Sequence, residues 1–183
     1  FIGDIFGRPG REAVKRVVPE LRRRYQADVV IANCENAAHG KGITEKTAKE
    51  IFAAGCDVLT SGNHTFRQRG CETYIDQEQR LVRPINYPPG APGRGKLYFT
   101  LRNGQTVGVL NACGRTFMGT HYDDPFRALD AAVTEMRRNT PIILVDFHAE
   151  ATSEKVAMGW YLDGRVTAVL GTHTHIPTAD ERL

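Results

Sequence analysis

The chain has 183 residues, of which 41% are hydrophobic and 25% are charged, and its formal net charge is +3. These values suit one globular domain with an apolar core. No apolar run approaches the roughly 18 residues that a membrane helix needs. The composition therefore excludes a transmembrane protein, and we expect a cytoplasmic one.

Apolar runs alternate with helical patterns along the chain. The predicted strands are residues 1–5, 28–32, 58–60, 96–101, 106–112, 142–147 and 166–170. The predicted helices are residues 12–25, 44–54, part of 71–79, 125–138 and 154–162. Pro19 is expected to kink or divide the first helix, and Asn103-Gly104 predicts a hairpin. This order of elements predicts an α/β fold with a partly mixed sheet.

Two further patterns concern thiols and basic residues. The four cysteines match no zinc-binding spacing, so we expect buried free thiols in a reducing compartment. They are Cys34, Cys56, Cys71 and Cys113. The basic excess in residues 8–24 favours the solvated face of a helix, with a nucleic-acid-binding surface as the alternative.

Polar side chains follow five of the predicted strands at the point where each strand ends. They are Asp4, Glu35, Asn36, Asn63, His64, His148, His173 and His175. Ligands of α/β proteins bind beyond the carboxyl ends of the strands, so we expect these side chains to lie together. Carboxylates, amides and imidazoles are metal ligands. Their number suits two ions, about 3.5–4 Å apart, that share a carboxylate.

The last motif adds a geometric expectation. His173 and His175 are separated by one residue, so in an extended segment both would point to the same side and Thr174 to the other. Gly62 precedes Asn63 and is expected to allow a sharp exit from its strand.

The motifs GDIFG, NCEN, GNHTF, DFHAE and GTHTH span Gly3 to His175 in that order. Together they resemble the calcineurin-like metallophosphoesterases, and most closely their YmdB-type branch, whose members are described as cyclic-nucleotide phosphodiesterases. Phe6 stands where the wider superfamily has a histidine, and Glu35-Asn36 replaces a Gly-Asp pair. Both departures fit the YmdB-type branch.

The resemblance implies an α/β/β/α sandwich, in which mixed sheets lie between helices. It also implies a single metallophosphoesterase domain over residues 1–183, which we expect to be a fragment truncated at both ends. A homo-oligomer is expected.

The resemblance further implies a ligand scheme. One metal is held by Asp4, Asn36 and His175, and the other by Asn63, His148 and His173. Glu35 bridges the two ions, and His64 binds neither and donates a proton. Two ions of iron or manganese are implied, with zinc as an alternative.

This scheme predicts a metal-dependent phosphodiester hydrolase. A metal-bridging hydroxide attacks phosphorus, and His64 protonates the departing oxygen, which contributes about 10²–10⁴-fold. A small phosphodiester, a 2′,3′- or 3′,5′-cyclic nucleotide, is the expected substrate. His39, Arg115 and Thr116 are candidate substrate contacts. Asp146 is expected to orient a neighbouring side chain, whereas His121 and Glu150 are expected to be structural or surface groups.

The motifs leave alternatives open. A phosphomonoesterase or a nuclease would use the same metals. A non-catalytic regulator on this fold could bind RNA through residues 8–24, although such a protein has no need of a proton donor. Turnover of a chromogenic phosphodiester separates an enzyme from a regulator.

Overall fold

The computed structural model describes residues 1–119 and 121–183, and over these residues the chain forms five helices and seven strands. The helices are α1 (Gly7–Arg24), α2 (Glu45–Ala53), α3 (Cys71–Gln77), α4 (Pro125–Met136) and α5 (Thr152–Leu162). The strands are β1 (Ile31–Asn33), β2 (Val58–Thr60), β3 (Leu81–Val82), β4 (Lys96–Thr100), β5 (Thr106–Cys113), β6 (Ile142–His148) and β7 (Ala168–Thr172).

The strands form two separate sheets. The first has the order β1-β2-β3 and is parallel throughout. The second has the order β4-β5-β6-β7, in which β4 is antiparallel to β5 and the other pairs are parallel. The carboxyl ends of the parallel strands in each sheet thus lie along one edge.

Alternating side chains of β5 show how the layers pack. Val107 and Val109 lie in a core between the two sheets, together with Ile31 and Val58 of the first sheet. Residues of opposite parity, such as Leu110, pack against α4 and α5. A third core lies between the first sheet and helices α1 and α2. The layers are therefore helix, sheet, sheet and helix, which confirms the expected α/β/β/α sandwich.

Most predicted elements are confirmed, with small shifts of their ends. Thr44 caps α2 by accepting a hydrogen bond from the Thr47 amide, and Gly55 follows that helix with a left-handed φ of 104°. The hairpin at Asn103-Gly104 joins β4 to β5. These features are local, which is why the sequence predicts them well.

Two predicted elements differ from the structure at their starts, and one strand was not predicted. Residues 1–5 form only a bridge between Ile2 and Ala32 rather than a strand. Helix α1 begins at Gly7, and Pro19 lies inside it without dividing it. Burial of Val14 and Val18 against the first sheet offsets the backbone hydrogen bond that proline cannot donate. Strand β3 was not predicted, because two residues carry no periodic pattern.

The basic segment at α1 is used partly inside the molecule. The Arg11 side chain pairs with Glu50 of α2 at 2.9 Å, and Arg22 pairs with Asp57 just before β2 at 2.9 Å. These contacts fasten α1 to the first sheet and its neighbouring helix. Arg11 and Arg22 thus depart from the expected solvated face of the helix. The other basic residues of the segment are exposed as expected: Arg8, Lys15, Arg16, Arg23 and Arg24.

The four cysteines are buried and free, as predicted. Burial raises the pKa of Cys56 to about 12 and that of Cys71 to about 12, so both stay protonated and act as small apolar groups. Among the helices in the described part of the chain, none is long and apolar enough to cross a membrane.

Candidate metal centre

At the carboxyl ends of the strands, a buried polar network centred on Asp146 replaces the apolar layer between the sheets. Asn33 of β1 donates to Asp146 Oδ2 at 2.9 Å, and the Thr60 hydroxyl of β2 donates to the same oxygen. The Thr172 hydroxyl of β7 donates to Asp146 Oδ1 at 2.6 Å. One carboxylate therefore ties both sheets together at this edge, and the prediction that Asp146 orients its neighbours agrees with these contacts.

The same network sets the tautomer of His148. Burial raises the pKa of Asp146 to about 6, against the lowering effect of His148 and the hydroxyl donors, so this carboxyl is ionised at neutral pH and only accepts. Thr172 must then donate to Asp146, and its oxygen accepts from His148 Nδ1 at 2.8 Å. His148 Nε2 is therefore the ring nitrogen that faces the site, where a metal ion would replace the proton that the neighbouring carboxylates favour on this ring by raising its pKa against the effect of burial.

Replacing Thr172 tests this orientation. Thr172→Val keeps the shape of the side chain but leaves His148 Nδ1–H without its acceptor, so we expect metal affinity to fall by about 10- to 100-fold. Thr172→Ser keeps the hydroxyl and should bind metal nearly as well as the wild type. Calorimetric titration of metal-free protein with Mn²⁺ measures both, with thermal unfolding as the control for folding. Equal affinities in the two variants would contradict the proposed orientation.

Three other predicted ligands surround the Nε2 atom of the predicted ligand His148. Asn63 Oδ1 lies 2.9 Å from this nitrogen, His173 Nδ1 lies 3.1 Å from it and Glu35 Oε2 lies 3.4 Å from it. Metal–ligand bonds of about 2.0–2.2 Å leave coordinating atoms roughly 3–4 Å apart. The spacing of these atoms is therefore that of ligands around one ion.

The other predicted ligands form an adjacent group. The His175 Nε2 atom lies 3.0 Å from Asn36 Nδ2 and 3.6 Å from Asp4 Oδ1. The same Asp4 oxygen lies 3.8 Å from His148 Nδ1, so the two groups are neighbours. Asp4 Oδ2 accepts from the His173 amide, whereas Asp4 Oδ1 is buried and has no hydrogen-bond partner within the described residues. A buried carboxylate oxygen left in this way needs a cation, so the residues present fit a metal ion here.

The charges of the centre also suit a cation. Burial would raise the pKa of Glu35, but its contacts with His148 and the His64 amide outweigh burial and lower that pKa to about 2. Burial and the charge of His148 lower the pKa of His173, which favours a neutral imidazole with a free lone pair. An ionised Glu35 and a neutral His173 are the forms in which these side chains bind metals.

His64 lies at the edge of this centre. Its amide donates to Glu35 Oε2 at 2.9 Å, and its Nδ1 lies 3.0 Å from Glu35 Oε1. The ring is thereby oriented through Nδ1, and its Nε2 lies 3.4 Å from Asn63 Nδ2. The side chain is 21% exposed, whereas that of Glu35 is fully buried. This position agrees with a predicted role beside the metals rather than among their ligands.

Gly62 has a different function from the expected one. It is absent from the positions with a left-handed φ, so the exit from β2 does not require glycine. A Cβ atom at Gly62 would lie 2.6 Å from Glu35 Oε2 and closer still to His148 Nε2. The glycine is required because two predicted ligands pass directly over its Cα. Tyr87 supports this position by donating its hydroxyl to the Gly62 carbonyl at 3.1 Å.

The expected extended geometry of the last motif is wrong. His173 has a φ of 98° and His175 a φ of 55°, both in the left-handed region. The chain bends after Thr172, so each histidine reaches a different ligand group. Such conformations of non-glycine residues are strained and are set by tertiary contacts rather than by the local sequence.

The candidate substrate contacts lie in two loops. His39 is exposed in the loop that follows Asn36. Arg115 and Thr116 line a cavity together with His121 and Asp124, and none of the predicted metal ligands lines it. The amides of Arg115 and Thr116 donate to Glu154, which fixes the shape of this loop. A substrate contact by these three residues stays a prediction.

Two residues near the centre were not predicted to act there. Thr172 orients His148, as described above, and Glu150 Oε2 lies 3.1 Å from His173 Nε2. Glu150 is exposed, as expected of a surface group, and its contact with His173 Nε2 turns Nδ1 of that ring toward the site. Both residues lie within two positions of a predicted ligand, in the motifs DFHAE and GTHTH. That closeness in sequence is the feature from which their roles could have been predicted.

The chain is similar to several known proteins. The chain is 50% identical over 183 residues to the 2′,3′-cyclic-nucleotide 2′-phosphodiesterase of Bacillus subtilis (strain 168), covering all of this chain and 69% of the relative. A crystal structure of a hypothetical protein from Thermus thermophilus superposes with a TM-score of 0.91 at 45% identity, covering 99% of this chain and 69% of that one.

A crystal structure of a novel phosphatase from Mycoplasma pneumoniae superposes with a TM-score of 0.90 at 37% identity, covering 98% of this chain and 65% of that one. The chain therefore spans about two thirds of the length of these proteins. The family model for YmdB-like protein matches residues 1–183. With this match over every residue, the chain belongs to the YmdB-like family.

Proposed function

We propose that this protein hydrolyses cyclic nucleotides, with a 2′,3′-cyclic phosphate as the preferred substrate, at a centre of two metal ions. The observation that carries the proposal is the convergence of two adjacent ligand groups on His148 and Asp4. The name of the Bacillus subtilis relative supports the choice of substrate.

The donor atoms are oxygen and nitrogen only, which suits iron or manganese and leaves zinc as an alternative. In this proposal, Asn63, His148 and His173 hold one ion, and Asp4, Asn36 and His175 hold the other. Glu35, whose Oε2 lies 3.4 Å from His148 Nε2, would supply a carboxylate to the centre. Bound ions would supply Lewis-acid stabilisation of phosphoryl charge and acidify a water molecule.

The side chains supply the rest of the chemistry. Asn63 contributes a neutral oxygen, so the loaded centre keeps more positive charge for a phosphate than a carboxylate at this position would allow. His64 lies beside Glu35, and its Nε2 would carry the proton that the departing ribose oxygen receives. Cleavage of the 2′ P–O bond leaves a nucleoside 3′-phosphate.

The experiment is a substrate panel on protein loaded with Mn²⁺ or Fe²⁺. The panel contains 2′,3′- and 3′,5′-cyclic nucleotides, nucleoside monophosphates, single-stranded RNA and a chromogenic diester. We expect the highest kcat/KM for a 2′,3′-cyclic nucleotide and a 3′-monophosphate product by chromatography. Glu35→Gln, which removes the central carboxylate, is the inactive control.

Other results would replace the proposal. A preference for monoesters would make the protein a phosphomonoesterase, and a preference for RNA would make it a nuclease. Absence of turnover on every substrate, with metal shown to be bound, would favour a regulator. Binding of single-stranded RNA by such a protein would then be tested with charge reversals in α1.

A further inference from the structure

An aromatic ring lies exposed at the rim of the metal centre. Phe6 is 55% exposed, and its ring packs edge-to-face against His175 with 5.7 Å between the ring centroids. It lies on the side of the centre formed by Asp4, Asn36 and His175. A large apolar side chain in this position is open to solvent and also to any ligand that binds there.

The ring is held in place by the loop that carries Asn36. Gly40 has a left-handed φ of 84°, and a Cβ atom there would meet the Phe6 ring at 2.9 Å. A residue with a side chain at position 40 would therefore collide with the Phe6 ring, so the ring can approach the loop only because Gly40 has none. Phe6 is thus fixed on one side by Gly40 and on another by His175, while more than half of it stays uncovered.

Helix stability does not explain a phenylalanine here. Phe6 is the N-cap residue of α1, and its side chain makes no capping hydrogen bond. Ser, Thr, Asp or Asn at such a position stabilises a helix relative to residues that cannot cap. A sequence that gives up this stabilisation and exposes a ring next to a functional centre indicates a functional role for the ring.

We propose that Phe6 is a specificity-determining residue that stacks on the base of the cyclic nucleotide, an inference that rests on the function proposed above. In a 2′,3′-cyclic nucleotide, the phosphate and the base are joined to the same ribose. A phosphate held beside His175 therefore places the base one ribose ring away, a separation comparable to that between His175 and Phe6. Aromatic side chains stack on bases without a requirement for one particular base.

The test compares substrates with and without a base on Mn²⁺-loaded protein. The substrates are adenosine 2′,3′-cyclic phosphate and methyl riboside 2,3-cyclic phosphate, which carries a methoxy group instead of the base. In Phe6→Leu, the ratio of the two kcat/KM values should fall by about 5- to 150-fold, mainly through KM. Phe6→Tyr should restore the ratio, because tyrosine keeps the ring.

The matched control is Trp160→Leu, which removes another exposed aromatic ring, 60% exposed on α5, and should leave the ratio unchanged. An unchanged ratio in Phe6→Leu overturns the inference, including the case in which both substrates are lost equally because the ring only supports His175. Failure of the wild type to cleave either substrate instead refutes the proposed function, and the inference is then lost with it.

Discussion

Gly62→Ala is expected to abolish turnover and to remove most metal binding, although it adds only one methyl group. That methyl group would have to occupy the space of Glu35 Oε2 and His148 Nε2, two atoms that the proposal assigns to metal binding. Both side chains are fully buried, so neither can move aside without disturbing its neighbours. Overpacking of this kind costs about 1–3 kcal/mol of stability.

The measurements for Gly62→Ala are metal content, kcat/KM on the preferred cyclic nucleotide and the midpoint of thermal unfolding. We expect a fall of a few degrees in the midpoint and a loss of activity far larger than this destabilisation explains. Gly159→Ala is the matched control, because a Cβ atom at Gly159 of α5 meets no other atom within 4 Å. Alanine there should be neutral or slightly stabilising. Normal metal content in Gly62→Ala would show that Glu35 and His148 are not the ligands.

The positions of the proposed ligands could be predicted because they are polar residues that directly follow apolar strands. Carboxylates, amides and imidazoles at the ends of apolar strands are costly to bury unless they share a partner. In a parallel sheet these ends meet at one edge, so the sequence alone predicts that Glu35, Asn63 and His148 lie together. The structure brings them within hydrogen-bonding distance of one another or nearly so.

The division into two sheets could not be predicted from periodicity. Strands β1 and β2 are buried on both faces, since one face packs on helices and the other on the second sheet. A continuous apolar run looks the same in a single sheet covered by helices and in a sandwich of two sheets. Only the family resemblance indicated the sandwich. The left-handed backbone of His173 and His175 was beyond prediction for a related reason, because long-range contacts determine it.

The roles of Gly62 and Thr172 at the metal centre also could not be predicted from the sequence. Gly62 was expected to allow a sharp turn of the backbone. Instead, its missing side chain leaves space for His148 of β6 and for Glu35 in the loop after β1. Thr172 carried no expectation, although its hydroxyl connects Asp146 to His148. Small residues at a site act through what they allow or orient, and the sequence shows this only after the partners are known.

His64→Ala is expected to keep both metal sites but to lose about 10²–10⁴-fold in kcat on a cyclic nucleotide. The ribose oxygen is a poor leaving group and needs a proton, which the proposal assigns to His64 Nε2, while Nδ1 is held 3.0 Å from Glu35 Oε1. A substrate that does not need the proton should be affected much less. Bis(4-nitrophenyl) phosphate is such a substrate, because 4-nitrophenolate leaves readily without protonation.

The matched variant is Asn63→Ala, one residue earlier in the same motif. It removes the oxygen that lies 2.9 Å from His148 Nε2, so metal affinity should fall first and both substrates should be affected alike. Metal content by elemental analysis and kcat on the two substrates separate the roles. If His64→Ala loses metal, or loses activity equally on both substrates, His64 is a ligand or a structural group. The opposite result, in which only the poor leaving group is affected, identifies His64 as the proton donor, because a ligand cannot distinguish leaving groups in this way.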